Sequence, residues 1–380
     1  MQNIFFELIQ VTIGRRGALS RVPSSAEWNA LYALSVKQAV AGVCFYGVQR
    51  LPKEQVVSLP MSVKMEWLGR TVQIQQQNEL LNKRTREVSA LFSEGGFQSC
   101  VLKGQGAARL YDFNDNDNVN LNLNDKLNDK LGAYRQSGDI DIWVDGERGQ
   151  VIDFMKRKGW KVGRTVVHHT DVEIFRDVSV EVHHFPSYSF SPFRWRKYRE
   201  WFRAQTKEQF LLKDYTLGFC HPSIGFNLVY SLLHIFRHVF HEGIGLRQLM
   251  DYYMVLQAAG RGGTKERQMK AMHTLEWFGL SRFTAAVMYV EREVFGLQEE
   301  HMLCEPDEKA GKYLLDEMMR AGNFGQYDPR IRDAHSAGMV KLYRKNVKRI
   351  FGMVRYCPSE VLWAPFWKIG HFAWRKVKGY

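Results

Sequence analysis

The stretch Gly138-Asp139-Ile140-Asp141-Ile142-Trp143-Val144 constrains the fold more than any other part of the chain. Its β-branched, apolar residues favour a strand. A strand repeats every two residues, so Asp139 and Asp141 project from one face and Ile140 and Ile142 from the other. Aspartate is a poor strand former, and two carboxylates on one face repel. A divalent cation held by oxygen ligands offsets that cost; two solvated acids at a strand end would give the same pattern.

The surrounding sequence reads as an α+β protein with a small mixed sheet and helical flanks. Positions 27–50 and 63–92 carry helical spacing of apolar residues, closed by the C-cap pair Gly95-Gly96. A short strand at 97–102 leads into the turn Lys103-Gly104-Gln105-Gly106 and a short helix at 107–111. After the Asp139 strand come a helix at 146–158 and strand-like runs at 160–162, 166–169, 172–175 and 178–184. Helical periodicity returns at 224–241, 246–259, 265–278, 281–295, 309–321 and 339–356. The expected organisation is a helical N-terminal region (1–95), an α/β core (96–190) and a helical C-terminal region (191–380). Residues 112–130, rich in Asn and Asp, read as an expanded surface loop within the core. They do not fit an EF-hand, because Asp117 stands where the calcium loop needs Gly and Leu123 where it needs Glu.

A third acid, Glu181, lies in Val178-Ser179-Val180-Glu181-Val182-His183, sharing a strand face with His183. If that strand lies beside the Asp139 strand, three carboxylates converge. Such a set holds two Mg²⁺ ions for phosphoryl transfer. Lys103 offers a cation to phosphate, Gly104 and Gly106 a close backbone approach, and the following helix start adds N–H donors. Arg135 is a further phosphate contact or a solvated loop residue. His183 is placed to touch substrate or act as a base.

Taken together, Leu102-Lys103-Gly104 with Ala107-Ala108 and Leu110-Tyr111, then Gly138-Asp139-Ile140-Asp141, then Val180-Glu181-Val182-His183, resemble the nucleotidyltransferases of the DNA polymerase β superfamily. The similarity is greatest to their bacterial branch of uncharacterised nucleotidyltransferases. It spans about residues 85–190 and continues to Gly245-Leu246-Arg247-Gln248-Leu249-Met250-Asp251, similar to a Leu-Arg-x-x-x-Asp helix of that branch. The resemblance implies a metal-dependent enzyme moving a nucleoside monophosphate from an NTP to an acceptor hydroxyl on RNA, protein or a small molecule. It implies Asp139, Asp141 and Glu181 as catalytic and metal-binding acids, with Mg²⁺ or Mn²⁺, and Lys103, Gly104 and Gly138 at the nucleotide. The superfamily's Gly-Ser pair is replaced by Lys103-Gly104, and the long insertion is a second departure. The competing reading is a core that binds nucleotide or polyanion without turnover.

Three other features bear on function. The net charge is +13, and residues 341–380 hold ten Lys/Arg against Glu360 alone. That tail, and the cluster Arg194-Trp195-Arg196-Lys197-Tyr198-Arg199, suit a polyanion (nucleic acid such as RNA, a nucleotide triphosphate or an anionic membrane surface) or a solvated helix face with its aromatics turned inward. Trp363, Trp367 and Trp374 with their basic neighbours also suit an anionic membrane surface. His234, His238 and His241 share a helix face, as metal ligands would, but with no Cys and only Glu242 nearby in sequence ordinary core or surface histidines are the better reading. Arg247 and Asp251 are spaced for an intrahelical ion pair, or, by the resemblance, for a brace between regions. Five scattered cysteines without C-x-x-C spacing, no signal peptide and no membrane-length apolar run point to the cytoplasm.

Overall fold

Strand alternation organises the molecule around two apolar clusters. In β2 (Ile140–Val144), Ile140, Ile142 and Val144 face one cluster with Phe92, Val151 and Val182. Trp143, on the carboxylate face, enters the other and larger cluster, stacking against Phe226 at 5.9 Å. The computed structural model describes residues 1–112, 130–261, 265–332 and 352–378. The Asn/Asp-rich segment at 113–129, and most of the helical run expected at 339–356, lie outside them.

The described residues form a mostly helical α+β fold with one five-stranded mixed sheet, ordered β1-β2-β5-β4-β3. The strands are β1 (Ser99–Val101), β2, β3 (Lys161–Thr165), β4 (His169–Glu173) and β5 (Val180–His183). Only β2 and β5 run parallel, with Asp141 directly opposite Glu181. A parallel pair needs a crossover, supplied here by α6 (Arg148–Arg157) and the β3–β4 hairpin.

The N-terminal helices are α1 (Gln2–Thr12), α2 (Ser25–Lys37), α3 (Ala41–Arg50) and α4 (Met61–Glu94). A Ser24/Glu27 capping box opens α2. The single helix expected at 27–50 breaks at Ala39, whose φ is +56°. Gln38 accounts for the break: its side chain donates to Met318 O and accepts from Leu246 N, tying the bend to the C-terminal region. The four strand-like runs at 160–184 resolve into three strands, because Val166 and Val167 form the hairpin turn and Arg148 caps Val167 O.

The basic-aromatic cluster at 194–199 lies in α7 (Pro192–Leu211), capped by Ser191. Arg194 is buried there and bonds Phe278 O and Glu360. Further on come α8 (Ile224–His241), α9 (Leu246–Gly260), α10 (Lys265–Trp277), α11 (Ser281–Phe295) and α12 (Glu308–Ala321). The Pro358–Lys378 helix is fastened by Glu360, which accepts from Ser189 Oγ and Phe190 N, both at 2.6 Å. No helix among the described residues is long and apolar enough to cross a membrane.

One core residue is at odds with its surroundings. Glu291 of α11 is fully buried, and neither carboxylate oxygen has a partner among the described residues. Burial pushes its carboxyl well above the ordinary value. The folded chain therefore keeps a proton that the unfolded chain releases. Stability from this group is complete below the unfolded carboxyl value and is lost as pH rises through the folded one. Glu291→Met should flatten that decline: at pH 4 it removes the cost of an unbonded neutral carboxyl, about 1–3 kcal/mol, and the gain in stability should be larger at pH 8. Urea unfolding at the two pH values measures the difference.

Candidate active site

The ladder between β1 and β2 sets the first contact of the site. Leu102 N donates to Asp141 O at 3.0 Å, which carries the next residue, Lys103, over the carboxylate strand. Lys103 Nζ lies 2.7 Å from Asp141 Oδ1, and His183 Nε2 donates to the same oxygen at 2.8 Å. Within β5 itself, Glu181 Oε2 is 3.5 Å from His183 Nε2. Oxygens of Asp139, Asp141 and Glu181 all lie within 4.8 Å of one another.

The three acids are not electrostatically equivalent. Burial opposes ionisation of Asp141, which is only 2% exposed, but Lys103 and His183 outweigh it and hold its carboxyl well below the usual range. Asp139 shifts upward, first because of the Asp141 charge and then because of burial. Glu181 is lowered: burial opposes this, and its bond to His183 prevails. His183 rises despite full burial, because it serves both Asp141 and Glu181. Asp139 is thus the acid whose negative charge the protein itself compensates least. A set of three close oxygen donors with one repelled member fits a hard divalent cation.

Gly104 closes the Lys103 turn at φ +58°, ψ −112°. Side-chain-bearing residues rarely adopt that conformation, and a Cβ would also meet Asp139 O at 3.4 Å. The expected N–H donors of the following helix are mostly used internally: α5 (Gln105–Ala108) is short, and Gly106, Ala107 and Ala108 donate back to Lys103 O and Gly104 O. Gly104→Ala is expected to cost about 1–3 kcal/mol and to move Lys103 off Asp141; thermal melts measure the loss.

Opposite the sheet, α8 and α9 complete a cleft of about 640 Å³. Lys103, Gly104, Gly138, Asp139, Asp141 and Glu181 all line it, whereas His183 lies beneath, fully buried, and reaches the cleft through the acids it bonds. His234, His238 and His241 line the α8 wall. They form no metal-ligand group among the described residues. His238 pairs with Glu242 at 3.6 Å and His241 Nε2 meets Tyr188 OH at 3.3 Å. From the last helix, Trp367 stacks on Tyr188 at 5.0 Å.

Two arginines differ from expectation. Arg135 is neither solvated nor free for phosphate. It is 4% exposed, clasps Asp251 through Nε (2.6 Å) and Nη2 (2.7 Å), and donates Nη1 to Ser137 Oγ. Asp251 also accepts from Tyr111 OH at 2.6 Å. The intrahelical Arg247–Asp251 bond expected from their spacing therefore does not form. Arg247 instead donates to Gln136 O at 2.9 Å and lines the cleft, where it is felt by Asp139. Sequence spacing missed this cation, and also Arg237, whose guanidinium donates to His168 Nε2 at the cleft wall. The helical period of α8 was the available signal for Arg237, since it falls three residues after His234.

The chain matches the family described as uncharacterised nucleotidyltransferase over residues 24–115 and 131–296. The break between the two segments falls in the Asn/Asp-rich stretch, leaving the acids, the Lys103 turn, α8 and α9 inside the match. No curated protein and no solved structure matches the chain. The family match supports a nucleotidyltransferase role. On the strength of a match that spans most of its length, this chain belongs to the uncharacterised nucleotidyltransferase family.

Proposed function

We propose that the protein is an enzyme that transfers a nucleoside monophosphate from an NTP to an acceptor hydroxyl and releases pyrophosphate. The carrying observation is the convergence of Asp139, Asp141 and Glu181 beside the Lys103 turn in one cleft. Asp139, Asp141 and Glu181 are the residues to hold Mg²⁺ or Mn²⁺ in a two-ion site. When bound, such ions neutralise phosphate charge and stabilise the attacking and leaving oxygens.

The chain's own groups do the rest. Lys103 exchanges Asp141 for the triphosphate, and Arg247 adds a second cation from the far wall. Gly104 and Gly138 keep the floor clear for phosphate oxygens; a Cβ at Gly138 would meet nothing within 4 Å. Glu181 accepts the proton of the attacking hydroxyl, with His183 orienting both Glu181 and Asp141 from below. In this reading the 96–190 core carries the chemistry and the 191–380 region forms the acceptor wall. The basic charge of its sequence suits RNA as the acceptor. Five free cysteines suit the reducing cytoplasm.

The test is label transfer. Each α-labelled NTP is incubated with Mg²⁺ or Mn²⁺ and with total RNA, a protein lysate or a small-molecule extract. Labelled product that depends on Asp139 and Asp141 supports the enzyme. Retained nucleotide binding without product under every combination would leave only a binding protein.

A further inference from the structure

Glu181 belongs to two ligand groups. Besides its neighbours Asp139 and Asp141, its carboxylate lies between two imidazoles: His169 Nδ1 at 3.3 Å and His183 Nε2 at 3.5 Å from Oε2. All three donor atoms lie within 4.8 Å of one another. Both separations are long for an N–H···O bond, whose usual range is roughly 2.7–3.2 Å, and they also match the edge of a tetrahedron, because metal bonds of about 2.0–2.1 Å set neighbouring donors roughly 3.4 Å apart.

The outer contacts agree. A metal-bound histidine usually gives its other N–H to a carboxylate or a backbone carbonyl, which fixes the tautomer. His169 Nε2 lies 3.2 Å from Asp171 Oδ1, and His183 Nδ1 lies 3.3 Å from Phe185 O. His169 also sits among acceptors that one N–H cannot satisfy. Its Nδ1 is 3.0 Å from His168 Nε2, an atom that already accepts from Arg237. A neutral imidazole has a single N–H, so either tautomer leaves one side facing a lone pair. A cation on Nδ1 engages that lone pair and leaves Nε2–H for Asp171.

We propose that His169, Glu181 and His183 form a binding site for a transition-metal dication of the zinc class, beside the all-oxygen site and sharing Glu181 with it. Two imidazoles and one carboxylate select a borderline ion over Mg²⁺, and three protein ligands leave a fourth position open. To bind, His183 Nε2 gives its proton to solvent and exchanges its bond to Asp141 Oδ1 for the metal, while Asp141 keeps Lys103 as its counter-ion. The site goes beyond nucleotidyl transfer, since its occupancy requires no nucleotide.

Co²⁺ is the probe. The full chain, stripped with a chelator, is titrated with Co²⁺ in saturating Mg²⁺. The expected result is one Co²⁺ per chain with the intense visible bands of a four-coordinate, nitrogen-ligated ion, displaced by Zn²⁺. His169→Ala should abolish the bands. Asp171→Ala, at a more exposed position, should weaken binding by roughly 10–100-fold while circular dichroism stays unchanged. Asp139→Ala should keep the bands. Co²⁺ displaced entirely by Mg²⁺, or bands unaltered in folded His169→Ala, would overturn the site. Absent bands with label transfer intact would reject this site alone, and bands without transfer would reject the enzyme alone.

Discussion

Asp139→Ala combined with Asp141→Ala should reduce label transfer by at least about 10³-fold, the scale seen when preorganised charge at a reacting phosphate or oxyanion is removed. The single variants should differ in a way that transfer alone does not reveal. Asp139 is repelled by Asp141, so Asp139→Ala relieves a conflict, and the metal-free protein should melt no lower than the parent. Asp141 is the counter-ion of Lys103 and the acceptor of His183, with side chains 19% and 0% exposed. Removing its carboxylate strands both and should lower metal-free stability by about 3–5 kcal/mol. Thermal melts with chelator, beside transfer rates with Mg²⁺, read the two effects separately. Undiminished transfer by the double variant would eliminate the proposed chemistry.

Asp251→Ala should be the most destabilising change outside the acids. Arg135 is held by two charge-assisted bonds at a site where its own side chain is 5% exposed and that of Asp251 16%. Truncating one partner leaves a buried guanidinium, at a cost of about 3–5 kcal/mol, and takes the acceptor from Tyr111 OH. Because Arg135 also bonds Ser137, two residues before Asp139, transfer should fall with stability. Pairing Asp251→Leu with Arg135→Met should recover much of the stability, because the pair is then absent rather than broken. Denaturant unfolding of the singles and the double decides it, and a loss under about 1 kcal/mol in Asp251→Ala, the range of an exposed pair, would show that the clasp is weak.

Much of the sheet was legible because strands advertise themselves with a period of two. The alternation that put Asp139 and Asp141 on one face also put Glu181 and His183 on one face, and the parallel ladder then joined the two. The Gly95-Gly96 stop and most helices from α8 to α12 were legible from apolar spacing. Partnerships across the chain were not. Arg135 and Asp251 are 116 residues apart, and the i, i+4 neighbour Arg247 was the only partner local spacing offered. The α7 segment read as a basic cluster because tertiary packing, not a clean apolar stripe, decides which of its residues are buried. The break at Ala39 depends on what Gln38 touches in the C-terminal region, which no local pattern encodes.

The pairing of Asp141 with Glu181 carries a lesson for finding such centres elsewhere. Their separation is set by the hydrogen-bond ladder between adjacent strands and not by the length of chain between them. Insertions at the exposed turn ends, such as the one beside Gly159 or the one beside Asp177, can lengthen that chain while the two acids stay abreast. Searches that demand a fixed count of residues between the D-x-D pair and its third acid will pass over relatives that keep the ladder.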